Sequence, residues 1–231
     1  MKLLLIMMGN LSGILLFSQD TIPISQNCRN KPQIDNTRNG ILLGVFSDHP
    51  EQVNGVDIGL LVSERKETNG VFLSGIYGAD DKVNGVGLTG LISNFGKVNG
   101  LACSGLFLYS AETNGVAFSP LFSSLDNSDG VAFGGLILSD GTLRGFGLSA
   151  GIIFMDTLIG VTISTISYVF EMKGMQAGVL NFNDSMHGAQ FGLLNYSGSG
   201  NGFQFGLINI NRANKKWCRV MPLINFNFKR P

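Results

Sequence analysis

One glycine recurs at a fixed interval along most of this chain. It falls at Gly40, Gly55, Gly70, Gly85, Gly100, Gly115, Gly130, Gly145 and Gly160 with a spacing of fifteen. It continues at Gly174, Gly188 and Gly202 with a spacing of fourteen. A period held for twelve units marks a repeat architecture, in which each unit buries its apolar surface only against its neighbours.

The pattern around that glycine, taken as position zero, predicts strands. Asn precedes it at 39, 54, 69, 84, 99, 114 and 201, and Asp at 129. Asn-Gly favours tight turns, because both residues tolerate positive φ. Gly55, Gly70, Gly85, Gly100 and Gly115 are therefore the expected repeat turns. Positions +1 and +3 are apolar, as in Val86 and Leu88, and position +4 is always Gly, Ser or Thr. Apolar at +1 and +3 with small or polar at +2 and +4 is a period of two, the signature of a two-faced strand. The apolar face is expected to be the buried one. A helix is excluded, because there is no 3.6 period and each interior glycine would cost about 1 kcal/mol relative to Ala. The fifteen-residue units carry an extra residue near +5, expected as a bulge.

Charge follows the same period. Between +1 and +7 the only charged residue in all twelve units is Asp57. The other charges of the array fall at +8 to +14, as in Glu64-Arg65-Lys66-Glu67 and Asp80-Asp81-Lys82. Those stretches are read as solvated turns. Overall, 16 basic residues balance 16 acidic ones without a basic stripe, so nothing points to nucleic acid.

Two all-β folds fit. The first is a repeat β-solenoid of about twelve coils of 14–15 residues, in which identical positions stack about 4.8 Å apart. The second is an antiparallel transmembrane β-barrel of about 12 strands. Charge-free strands fit the barrel, as does the C-terminal alternation of Ile224, Phe226 and Phe228. Barrels usually join strands by short turns on one side and long loops on the other, which would double the period. No doubling is present, and this favours the solenoid. The three cysteines, Cys28, Cys103 and Cys218, form no disulfide framework by count. A solenoid would set Cys28 and Cys218 on the order of 50 Å apart, whereas a closed barrel would make their strands neighbours.

The organisation follows. Residues 1–18, with Lys2 ahead of a mostly apolar run to Phe17, read as a secretory signal peptide. Residues 19–39 are an expected N-terminal cap or linker, 40–215 the repeat array, and 216–231 a C-terminal cap strand. Pro222 suits an edge strand, since it has no N–H to donate.

Residues 188–211, "GAQFGLLNYSGSGNGFQFGLININ", resemble a family of bacterial surface repeat proteins. That family's unit reads roughly Val-Asn-Gly-Leu-Gln-Ile-Gly-Leu-x-Asn. The match includes Gln176, Gln190 and Gln204 at +2 and Asn181, Asn195 and Asn209 at +7. The earlier units lack both. The resemblance implies export and a place at the cell surface or outer membrane of a bacterium. It implies no catalytic residues.

Searching for chemistry directly returns little. His49 and His187 have no partner at metal-ligand spacing. No nucleophile elbow and no phosphate loop is present. The acids Asp80, Asp81, Asp126, Asp129 and Asp140 lack the spacing of calcium-binding solenoids. No catalytic residue, cofactor site or metal site is therefore expected, and the reading is not that of an enzyme. Asn183-Asp184-Ser185 and Asn195-Tyr196-Ser197 match the glycosylation sequon, a short and common pattern. The row at +2 and +4 has two readings. Facing outward, it is a flat, charge-poor strip with Gln176, Gln190 and Gln204 as an interaction face for a protein or a glycan. Facing inward, it lets the walls of a narrow coil approach. The functional expectation is an exported, non-enzymatic surface repeat protein with a structural, adhesive or interaction role, or alternatively an outer-membrane β-barrel acting as channel or anchor.

Overall fold

A fifteen-residue period can be satisfied by stacking like on like, and that is what the chain does. The computed structural model describes residues 37–48 and 52–227. It is a β-solenoid of about eleven turns and not a barrel. The strands are β1 (Thr37–Asp48), β2 (Gln52–Ser74), β3 (Tyr77–Thr89), β4 (Ile92–Ser104), β5 (Phe107–Phe191), β6 (Leu194–Asn211) and β7 (Val220–Asn227). They form one sheet in sequence order. Neighbours from β1 to β6 run parallel, offset by one coil: Asn84 pairs with Asn99 and Gly85 with Gly100. After the spacing shortens, the offset is fourteen, with Gly188 opposite Gly202. The transmembrane barrel would need antiparallel neighbours and a closing contact between first and last strands. Here β1 and β7 stand at opposite ends of the sheet order.

β7 is the exception to parallel stacking. It pairs antiparallel with β6, from Gly202 opposite Asn227 to Ile210 opposite Val220, and Pro222 lies within it. The expected signal peptide 1–18 lies outside the described residues, as do Cys28, His49 and most of the 19–39 segment. Thr37, Arg38 and Asn39 of that segment already belong to β1. Cys103 and Cys218 are free thiols.

The Asn-Gly pairs are not tight turns. Asn84-Gly85 and Asn99-Gly100 sit inside β3 and β4. Gly85 has φ +132, and Gly55, Gly70, Gly100 and Gly115 lie between +135 and +137. That is an extended conformation in the half of φ space that glycine alone enters freely, not the left-handed region of a hairpin turn. The last unit departs: Gly200, not Gly202, takes positive φ.

The faces are also reversed from expectation. Positions +2 and +4 point inward, as shown by the buried Ala102, Ser104, Ala117 and Ser119. The apolar residues at +3 face out: Leu88 is 37% exposed, Phe118 43% and Phe205 49%. The reason is width. A fifteen-residue coil leaves room for small side chains on one wall and one large residue opposite. Gly87 illustrates the fit, since a Cβ on it would press on the Phe95 ring. One coil earlier the sizes are swapped, with Phe72 lying over Gly78. Phe72 and Phe95 then meet edge-on, centroids 5.8 Å apart. The rest of the core comes from position −2, with Val83, Val98, Leu143, Leu158 and Met172, and from positions +7 to +10, with Leu108, Leu125, Ile137, Ile153, Met155 and Val169.

The one-residue difference between unit types has a simple consequence. In three of the fifteen-residue units the chain bends at +5 and +6, at Gly75-Ile76, Gly90-Leu91 and Gly105-Leu106, and in one fourteen-residue unit at Gly192-Leu193. The extra residue of the fifteen-residue units puts +8 inside, as with Ser93 and Leu108, except in the unit that starts at Gly130, where Ile137 at +7 is inside. Without it, +7 is inside, and Asn181, Asn195 and Asn209 are fully buried.

Candidate interaction surface

The expected interaction face does not exist as a surface. Gln176, Gln190 and Gln204 are each 0% exposed. They stack inside the coils, Gln190 Nε2 donating to Gln176 Oε1 at 2.9 Å and Gln204 Nε2 to Gln190 Oε1 at 2.7 Å. Their side chains are long and polar, so burial demands hydrogen-bond partners, and for Gln190 the identical residues one coil away supply both, while Gln176 Nε2 donates to Ser167 Oγ at 2.9 Å. Asn181, Asn195 and Asn209 form a second interior ladder. Both sequon asparagines, Asn183 and Asn195, are buried with Nδ2 occupied by hydrogen bonds, so the folded chain offers neither to a glycan.

What faces outward is the apolar half of each repeat. Two ladders run parallel to the solenoid axis. One is the +3 row, with Leu73, Leu88, Cys103 and Phe118. The other is the row at +6, with Ile76, Leu91, Leu106, Leu121 and Leu136, between 37% and 48% exposed. Between them lie Gly75, Gly90 and Gly105, which have no side chain. Over those glycines, beside the +3 row, lies an open groove of about 590 Å³ lined by Leu73, Leu88, Phe118 and Pro120. Its glycine floor is enforced by stacking, since a Cβ on Gly90 would run into the Gly75 carbonyl oxygen. Monomeric soluble proteins rarely expose apolar patches beyond a few hundred Å², and larger ones mark interaction sites. The sequence pattern located the +3 row; strand periodicity alone does not say which face is inside.

Chemistry of another kind lies in the interior near β2 and β3. Asp57, the one charge inside the +1 to +7 window, forms an ion pair with Arg65 at 3.0 Å, both side chains fully buried. Ser63 Oγ donates to its other oxygen at 2.8 Å. Asp80, one coil above Arg65, is 2% exposed. The solvated-turn reading therefore fails at Arg65 and Asp80, because these stretches are strand and alternate residues point inward. Glu64 and Lys66 remain exposed.

Burial is the main cause that pushes the Asp80 carboxyl up to about 6, from an ordinary 3.8. The neighbouring Asp81 adds to the rise, while Thr68, the Lys82 N–H and Arg65 oppose it. A raised carboxyl penalises the folded state only when it is ionised. Stability therefore falls as pH rises from about 4 to about 6, and the cost, about 3 kcal/mol, is complete above that. Asp80→Asn is expected to raise the melting temperature at about pH 7.5 and to leave it nearly unchanged at about pH 4. A gain of equal size at both pH values would refute the assignment.

Among the described residues no three His, Cys, Asp or Glu side chains converge to hold a metal ion. His187 is exposed. Asp126 and Asp156 titrate high, first through burial and then through Asp140 between them. The Cys103 thiol is raised by burial, which keeps it protonated. On a third outward wall, Phe154 stacks on Tyr168 at 5.3 Å, and Phe170 meets both edge-on at 5.7 and 5.2 Å. No protein-family model, curated protein or solved structure matches this chain.

Proposed function

We propose that this chain is an exported, non-enzymatic repeat protein of the bacterial cell surface or outer membrane, with a structural or adhesive role exercised along its apolar face. The observation that carries the reading is the uncharged double ladder on the outside of the solenoid. Such a surface is costly in water and is kept where something covers it. The N-terminal apolar run and the resemblance of residues 188–211 to bacterial surface repeats support export. The absence of an acid–base or nucleophile constellation in the sequence supports a binding role rather than catalysis.

The test is location on intact cells. Brief protease or membrane-impermeant biotin treatment is expected to modify the protein, and carbonate washing without detergent to release it. Recovery only in the cytoplasm, unmodified, would overturn the proposal.

A further inference from the structure

We propose that the apolar face docks on the same face of a second copy of this chain, side by side and related by a two-fold axis. This deepens the interaction role proposed above and rests on it.

Three features point to a second copy as the occupant. The first is pitch. The ridges at +3 and +6 repeat at the inter-strand spacing of about 4.8 Å. A second solenoid carries the same spacing, so its ridge interdigitates along the whole groove, in the manner of a dry zipper between identical sheets. A partner without that spacing meets the ladder in register at only a few coils.

The second is charge. The one charged residue between +1 and +7, Asp57, is buried and paired inside. The exposed face therefore carries no charge, so copies suffer no like-charge repulsion. It equally offers no basic rim to the headgroups of an anionic bilayer.

The third is area. About eleven turns at about 4.8 Å make a face about 50 Å long. Followed along the chain from +1 to +6, through the bend at the glycines, it is about 16 Å across, giving about 800 Å² per copy, the order of what a stable interface of standard size buries on each partner. From Leu73 to Phe118 the +3 ridge borders the groove, and the +6 row lies across the bend at the glycines. A two-fold axis lying in the contact plane, parallel to the solenoid axis, seats each copy's +3 ridge in the other's groove, and such an isologous contact closes at the dimer.

Sedimentation velocity of the full chain at micromolar concentration tests this. The wild type is expected to sediment at twice its chain mass. Leu88→Glu in one ridge and Leu121→Glu in the other place a charge in the contact. Each is expected to weaken the dimer by about 100-fold or more. Asn94→Glu, exposed on a different wall, is expected to leave it intact. Far-ultraviolet circular dichroism and melting confirm that all three variants remain folded; both leucines already contact solvent, so the solenoid tolerates the change.

A wild type that stays monomeric up to about 100 µM would overturn the proposal. So would a dimer unaffected by either leucine variant, or a monomer that floats with neutral phosphatidylcholine vesicles through the same leucines. A monomer found at the cell surface would remove the dimer and leave the surface role standing. A dimer confined to the cytoplasm would do the reverse.

Discussion

Asn195→Ala is expected to destabilise the C-terminal coils by about 3–5 kcal/mol, because it orphans several buried groups at once. Asn195 is 0% exposed. Its Nδ2 donates to Asn209 Oδ1 at 2.7 Å and to the Phe205 carbonyl at 2.9 Å. Its Oδ1 accepts from Asn181 Nδ2 at 2.9 Å. Water cannot enter to replace these partners without opening the coil. Asn99 makes the same ladder on the outside, donating to Asn84 Oδ1 at 2.7 Å and accepting from Asn114 at 3.0 Å. There solvent substitutes, so Asn99→Ala is expected to cost less than about 1 kcal/mol. Urea unfolding of the two variants decides the matter. Equal losses would mean that burial of the ladder contributes nothing.

Gly85→Ala is expected to cost about 3 kcal/mol or more, through two separate causes. Its φ of +132 is closed to a side chain without strain. A Cβ there would also strike the carbonyl of Gly70, one coil below, which is held in place by the parallel ladder. Gly40→Ala separates the causes. Gly40 has φ +113, but a Cβ on it meets nothing within 4 Å among the described residues. It is expected to cost only the conformational part, about 1–2 kcal/mol. Thermal melts that place the two variants together would sink the stacking argument.

Much of this fold is legible from spacing. Constant unit length, equal connections and a missing thirty-residue period point to coils stacked in parallel, and Asn84 opposite Asn99 is that register. The extra residue near Gly90 is legible in the same way, since fifteen- and fourteen-residue units differ there by one residue. The candidate surface was harder to read. Leu88 and Phe118 look like core in a linear pattern, because apolar residues in strands usually are. Gln190 looks like surface for the same reason. Arg65 and Asp80 stand in runs of charge that resemble solvated turns.

The sequence by itself determined the period, the strands, the stacking of identical residues and the freedom of one face from charge. These depend on local alternation and on unit length, both of which a linear string carries. Only the tertiary structure decided which face of each strand is inside. That choice depends on the width of the closed coil, where Phe95 needs Gly87 opposite and an amide needs its twin one turn away. Alternation is symmetrical between the two faces of a strand, so no count along the chain distinguishes them. Closing the coil does, and it leaves the leucines outside.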